Sequence, residues 1–268
     1  MQPRAAVFAL DYIDEAIERY VAAITGGADP AEVAWATEVL SEFFRVVDAH
    51  PRLDSVRQKF ESTRCASVDP GRRRTPFPYS ELDTTSVAYA DLFSLARRRK
   101  SVRWFLSREV PLELVRKALE LGLQAPSACN RQPYLWRIIL DSARAQRVAK
   151  IAMGTAGYSH NVPCLVVVLA DFSAFEHSRD RHVPYIDASL AAMQFMLALE
   201  TLGLASCPIN WPDIEKLERR MDRELGLPGH LRPVMLIAVG YADPNGLVAY
   251  SERRAVDDVM RLTDDYRP

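Results

Sequence analysis

The sequence lacks most of the motifs that announce a chemistry. It has no dinucleotide-binding glycine fingerprint, no phosphate loop of the GxxxxGK[ST] type and no strand-elbow serine in a GxSxG setting. Four cysteines, Cys65, Cys129, Cys164 and Cys207, are scattered with no CxxC or Cys/His spacing, so nothing suggests zinc, and a reduced, cytoplasmic setting is expected. Lysine is confined to Lys59, Lys100, Lys117, Lys150 and Lys216, so arginine carries most of the basic charge. The formal net charge of -1 offers no general argument for nucleic acid or a membrane surface. No run approaches the roughly 20 apolar residues of a membrane span. Asp11 interrupts the first apolar residues, so no secretory signal is expected.

Apolar residues make up 49% of the 268, enough for a real core in one large domain or a domain with an extension. Ile13, Ala16, Ile17, Tyr20, Val21 and Ile24 fall at helical spacing, and Gly26-Gly27 can end that helix. Asp29-Pro30 then reads as an N-cap with proline at the first helical position, followed by an apolar face from Val33 through Phe43, Phe44 and Val47 up to Pro51. Two N-terminal helices are expected, and their stripes must be buried on something. Residues 62–81, with Asp69-Pro70-Gly71, Pro76, Pro78 and the arginines 72–74, read as a linker or crossing segment. The expected division is a helical extension and linker, 1–83, and a main domain, 84–268.

In the second part a helix over 84–99 delivers Arg97-Arg98-Arg99-Lys100-Ser101-Val102-Arg103-Trp104-Phe105. Two readings fit this cluster equally. Cations favour a helix C-terminus, and arginine forks with a serine donor suit an anionic ligand, Ser101 and Arg103 pointing the same way if the chain is extended. A second helix opens at Pro111 and leads into Ala125-Pro126-Ser127-Ala128-Cys129-Asn130-Arg131-Gln132-Pro133. Small residues and prolines make this a poor helix. Pro133 is expected to hold Gln132 extended, and Ser127, Asn130 and Gln132 suit a flat, polar-edged ligand. Tyr134–Leu140, Cys164–Ala170 and Val234–Gly240 read as strands, the last two buried on both faces. Residues 171–184 read as an exposed loop. The helix from Tyr185 to Leu202 is apolar nearly all round, which marks a central helix or a subunit interface; Met193 and Met196 are assigned to core packing. Pro212 is expected to open the helix of Leu217, Met221 and Leu225. The class is α/β or α+β. His160, His177 and His182 have no partner that can be named, and nothing supports a side-chain nucleophile or a metal. Any redox or transfer chemistry would therefore reside in a bound organic cofactor.

Four segments occur in a telling order: RRKSVRWF, APSACNRQP, the apolar helix ending in LGLASCPINW, and PVMLIAVGY followed by ERRAVDDVM. Together they resemble the nitroreductase family of FMN-dependent oxidoreductases over roughly residues 90–262. The resemblance implies an α+β fold, an α-β-α sandwich around a mainly antiparallel sheet, in a homodimer with FMN at the interface. It implies that Arg99, Lys100, Ser101 and Arg103 form the first FMN-binding segment, with Arg103 near the pyrimidine edge. Pro126, Ser127, Ala128 and Asn130 resemble the loop against the partner subunit's flavin. Pro208, Ile209 and Asn210 match the segment under the ring, and Arg253 and Arg254 the late basic residues for the phosphate. Glu252 stands where the family often has lysine, which shifts weight to the arginines.

The implied reaction passes hydride from NAD(P)H, through flavin N5, to an electron-poor small molecule, nitro- or quinone-like in vitro. Positioning does most of the work, so no catalytic side chain is assigned. An alternative within the family is a tailoring dehydrogenase that oxidises a biosynthetic intermediate and uses oxygen as acceptor. The family's deiodinases carry a Glu/Tyr/Lys lid, and residues 171–184 hold Glu176 but no lysine, so that activity is not expected. A different class of reading is a non-catalytic flavin-fold scaffold that binds a partner through residues 1–83.

Overall fold

The computed structural model describes residues 5–65 and 74–262. The chain divides into two compact units, Met1–Thr85 and Ser86–Pro268. The first holds three helices, α1 (Ile13–Thr25), α2 (Pro30–Val46) and α3 (Pro51–Thr63). The cap of α2 forms as its sequence dictates: Pro30 takes the first turn, and the Asp29 carboxylate accepts the Ala31 N–H at 2.7 Å. The third helix corrects the expectation of two. Proline at Pro51 opens a helix rather than closing one, His50 Nδ1 accepts the Arg52 N–H at 3.2 Å, and Leu53, Val56 and Phe60 bury one face. These join Ile13, Ile17, Tyr20 and Phe44 in a core where the Phe44 and Phe60 rings stack at 5.3 Å. A hydrogen bond of 2.7 Å between Tyr20 and Thr37 satisfies the buried hydroxyls. Of the arginine run, Arg74 pairs with Glu38 at 2.5 Å; Arg72 and Arg73, like the rest of residues 66–73 of the expected linker, lie outside the described residues.

The second unit runs α4 (Tyr89–Arg98), α5 (Leu112–Gly122), β1 (Tyr134–Ile139), α6 (Ser142–Ala149), β2 (Cys164–Asp171), α7 (Val183–Thr201), β3 (Ala205–Asn210), α8 (Glu215–Leu225), β4 (Leu231–Gly240) and the short α9 (Val256–Val259). Three starts fall later than expected. Helix α4 begins at Tyr89, with Asp91 accepting the Ala88 N–H; Pro111 is the extended cap residue of α5; and α8 begins at Glu215, three residues past Pro212.

The four strands form one sheet in the order β1-β2-β4-β3, with every neighbouring pair antiparallel. Strand β2 is buried on both faces because its alternate side chains serve two cores. Leu165, Val167 and Leu169 pack with Ala145 and Val148 of α6 and Met221 of α8. Cys164, Val166 and Val168 pack with Val115 and Ala118 of α5 and Ala192 and Phe195 of α7. The result is the expected α+β, α-β-α sandwich. Each fully buried side chain of this size contributes about 1.5–3 kcal/mol, against an ordering cost of about 1–2 kcal/mol per residue. Helices α5 and α7 touch at Gly122, where a Cβ would meet the Ala191 carbonyl at 3.2 Å.

Helix α7 is apolar nearly all round but is buried on one side only. Met196 is 6% exposed, as a core residue should be, whereas Met193 is 40% exposed and joins Ile186 and Leu190 on an open face. Its assignment to the core is therefore corrected. Leu121 and Leu123, at the end of α5, are also exposed.

Candidate cofactor site

Past α4 the chain becomes a strand-like strap across the ends of β3 and β4. Ser101 bridges Ser206, the Val102 N–H donates to the Ser206 carbonyl at 3.0 Å, and the Leu106 N–H donates to the Tyr241 carbonyl at 2.8 Å. Phe105 fits under the strap because residue 240 is glycine; a Cβ there would lie 2.7 Å from the Phe105 ring. Alternation then sorts the strap's side chains. Val102 is buried, while Arg99, Ser101 and Arg103, two residues apart, all act on the Cys207 thiol of β3. Lys100 falls between them in the alternation.

A single side chain clamps the strap from below. Asn161 Oδ1 accepts the Phe105 N–H at 2.7 Å, and its Nδ2 donates to the Arg103 carbonyl. The Arg103 guanidinium lies 5.7 Å from the centre of the Tyr158 ring. Burial pushes the Tyr158 hydroxyl up to about 12. Burial also raises the Cys207 thiol, with Arg103, Tyr158, Arg99 and Ser101 pulling the other way. Cys207 is thus a neutral thiol under the strap rather than a nucleophile. Two polar atoms here are buried without a partner, Arg99 Nε and Ser206 Oγ. Glu200 of α7 is raised by burial, opposed by Arg98, which it meets at 3.3 Å, and by Arg99.

The Ala125–Pro133 segment is an ordered loop, but Gln132 is not extended as expected. Cys129, Asn130 and Gln132 have φ of 54°, 53° and 48°, so Gln132 adopts the left-handed region despite the following proline. Hydrogen bonds impose the turn. Ser127 Oγ accepts the Gln132 N–H at 3.0 Å, the Ser127 carbonyl accepts the Asn130 N–H at 3.0 Å, and the Gln132 carbonyl accepts the Tyr134 N–H at 2.8 Å. The Asp187 carboxylate on α7 accepts the Ala128 N–H at 2.9 Å. Pro126 and Asn130 are exposed, and Ser127 and Ala128 half-buried.

At the end of β3, Pro208 is half-buried, Asn210 is exposed and the Ile209 side chain is in the core, so Ile209 has only its backbone to offer a ligand. Arg253 and Arg254 are exposed in the C-terminal tail. Their hydrogen bonds go to the carbonyls of Ser251 and Glu252 and of Asp258 respectively. The structure thus brings Arg99, Ser101 and Arg103 together at Ser206 and Cys207 of β3, the strand that continues into Pro208–Asn210. Among the described residues, no hydrogen bond or ion pair joins them to the loop or to Arg253 and Arg254. His160, His177 and His182 are exposed. Tyr158, Asn161, Cys207 and Asp187 escape a reading of the sequence. Only Asp187 carries a signal there, as the one charged residue in the stretch from Val183 to Leu199.

The chain belongs to the nitroreductase family, whose model matches residues 96–241. That places it among oxidoreductases. It is 31% identical over 189 residues to an NADH dehydrogenase of Thermus thermophilus, covering 58% of this chain and 89% of that one. It is 28% identical over 169 residues to an iodotyrosine deiodinase of Thermotoga neapolitana, covering 57% and 89%. An FMN-dependent nitroreductase from Clostridium difficile shares the fold, with a TM-score of 0.55 and 22% identity over 64% of this chain and 98% of that one.

Proposed function

We propose that the protein is an FMN-dependent oxidoreductase that passes reducing equivalents from NAD(P)H to an electron-poor small molecule of nitro or quinone type. The observation that carries this reading is the convergence of Arg99, Ser101 and Arg103 on β3 at Ser206 and Cys207. It is supported by the orphaned Arg99 Nε and Ser206 Oγ beside them. This donor set fits a cofactor with a phosphate and a ring that gains negative charge when reduced.

FMN, when bound, supplies the hydride relay between donor and acceptor. The chain's own contribution is binding and orientation. Arg99, Lys100 and Ser101 would hold it, helped by Arg253 and Arg254 at the phosphate. Arg103, its backbone clamped by Asn161, would set a permanent cation against the ring edge where charge develops. Asn210 and the Ile209 backbone N–H would meet the ring from β3, and Pro126, Ser127, Ala128 and Asn130 from the loop. The raised thiol of Cys207 and hydroxyl of Tyr158 remain protonated at neutral pH and compete for no proton. The open apolar face of α7, with Ile186, Leu190 and Met193, supports a homodimer, in which the loop of one protomer would complete the site of its partner.

The visible spectrum of the purified protein, with the released cofactor identified after denaturation, tests the reading. A yellow protein releasing FMN, bleached anaerobically by NADH or NADPH, is the expected result. A colourless protein that takes up no added FMN overturns it.

A further inference from the structure

We propose that Asp187 is a positioning residue, a buried latch that holds the Ala125–Pro133 loop in the shape the cofactor meets. This rests on reading that loop as part of the FMN site and goes beyond it by naming what keeps the loop in place. Asp187 is 4% exposed, and among the described residues it is the one carboxylate residue that is buried. It stands on α7 beside Ala188, with Ala191 and Ala192 further along, where packing alone would ask for an apolar side chain. A carboxylate at such a place must be compensated. Among the described residues Asp187 makes no ion pair; its Oδ2 instead accepts the Ala128 N–H at 2.9 Å, from a residue 59 positions earlier in the chain. A charged acceptor on a backbone N–H is the stronger kind of hydrogen bond.

The latch engages immediately before the strained part of the loop. Cys129, Asn130 and Gln132 all have positive φ, and such residues persist only where their surroundings over-determine them. Ser127 ties the loop to itself, Arg131 and Pro133 tie its far end to Ala174 and Asp171, and Asp187 ties it to the buried side of α7 just before Cys129. Tyr134, at the loop's far end, senses the same carboxylate: burial first, and then Asp187, raises its hydroxyl. An exposed loop of this shape without the latch would relax towards ordinary backbone geometry, and the positions of Ser127, Ala128 and Asn130 would be lost.

The experiment has two arms on the full-length protein, wild type, Asp187→Ala and Asp187→Asn. The first is hydrogen exchange of the cofactor-free proteins by mass spectrometry. Peptides spanning 125–133 should exchange about tenfold faster in Asp187→Ala, the size of a lost charge-assisted bond, with β2 and α7 little changed. Asparagine keeps an uncharged acceptor, so Asp187→Asn should fall between. The second arm is FMN titration by fluorescence quenching, which should show the same ranking in Kd. Unchanged exchange at 125–133, or faster exchange spread evenly over the whole second unit, overturns the latch; should the alanine variant not fold, the asparagine variant decides by the same criteria. Faster exchange in the loop with unchanged FMN affinity overturns its positioning role. A wild type that binds no FMN rejects the cofactor reading, and the exchange arm still decides the latch.

Discussion

The strap and the loop reach their shapes by opposite means. From Arg99 to Leu106 the chain is a strap joined to the sheet by single bridges at Ser101 and Phe105, bonded to Ser206 and Tyr241 and clamped by Asn161. From Ser127 to Gln132 three residues other than glycine sit in the left-handed region, held by the side chains of Ser127, Asp187 and Arg131. The strap is a low-energy shape stabilised by the sheet, whereas the loop is a costly shape imposed on it. The strap should therefore answer to loss of its charges and its clamp, and the loop to changes in backbone freedom.

The largest expected effect lies on the strap. Arg103→Ala should slow reduction by NAD(P)H about a hundredfold, as expected for removing one group that stabilises developing charge. Arg103→Lys should recover part of this, because the charge returns but the planar fork does not. Anaerobic stopped-flow reduction reads both; equal rates in all three proteins would remove Arg103 from the site. Next is Asn161→Ala, which leaves the Phe105 N–H and the Arg103 carbonyl without this partner. It should cost about 1–3 kcal/mol by denaturant titration and weaken FMN binding with it. A strap that keeps both stability and affinity without Asn161 would not be clamped as described.

The strap also titrates. Tyr158 is held up to about 12 from an ordinary 10.0, chiefly by burial. A hydroxyl whose folded pKa is raised contributes stability that is whole below the unfolded value and is lost as pH rises through the folded one. The decline should fall between pH 10 and about 12, and Tyr158→Phe should flatten it without moving the curve near neutrality. An identical decline in the phenylalanine variant would assign it elsewhere.

The difference between strap and loop also governs how much the residues reveal. Alternation alone aligns Arg99, Ser101 and Arg103, and the strand runs Cys164–Ala170 and Val234–Gly240 announce the two-faced sheet, because these follow from local spacing. The loop's composition marks it as non-helical, but its left-handed residues are invisible. Gln132-Pro133 argues for extension, but the Gln132 N–H is taken by Ser127 Oγ, and Ala128 beside it is bonded to a carboxylate 59 residues away, a contact that spacing does not reveal. Asn161 and Tyr158 are hidden for the same reason, as residues of an unremarkable turn that matter through what lies above them. The third N-terminal helix was legible in Leu53, Val56 and Phe60, but Pro51 reads as a stop unless its first-turn role is weighed. Met193 shows the opposite limit, since an all-apolar helix does not say which of its faces the same chain covers.

The smallest effect separates strap from loop most directly. Glycine pays no steric penalty at positive φ, so Cys129→Gly should relieve about 1–2 kcal/mol of local strain while adding about 0.5–1 kcal/mol of backbone entropy to be lost on folding. The net is a gain of about 0.5–1 kcal/mol. Cys129→Ala, which keeps the Cβ, should gain nothing, and since Cys129 is exposed neither change opens a cavity. On the strap the sign reverses: Ser101 is in β-bridge geometry that any residue adopts, so Ser101→Gly relieves no strain and adds the entropic loss to the loss of the hydroxyl that acts on Cys207. Thermal melts of the three variants in cofactor-free protein read the signs. A loss at both 129 and 101 would mean that the loop's left-handed geometry carries no strain and that the contrast drawn between the two segments fails.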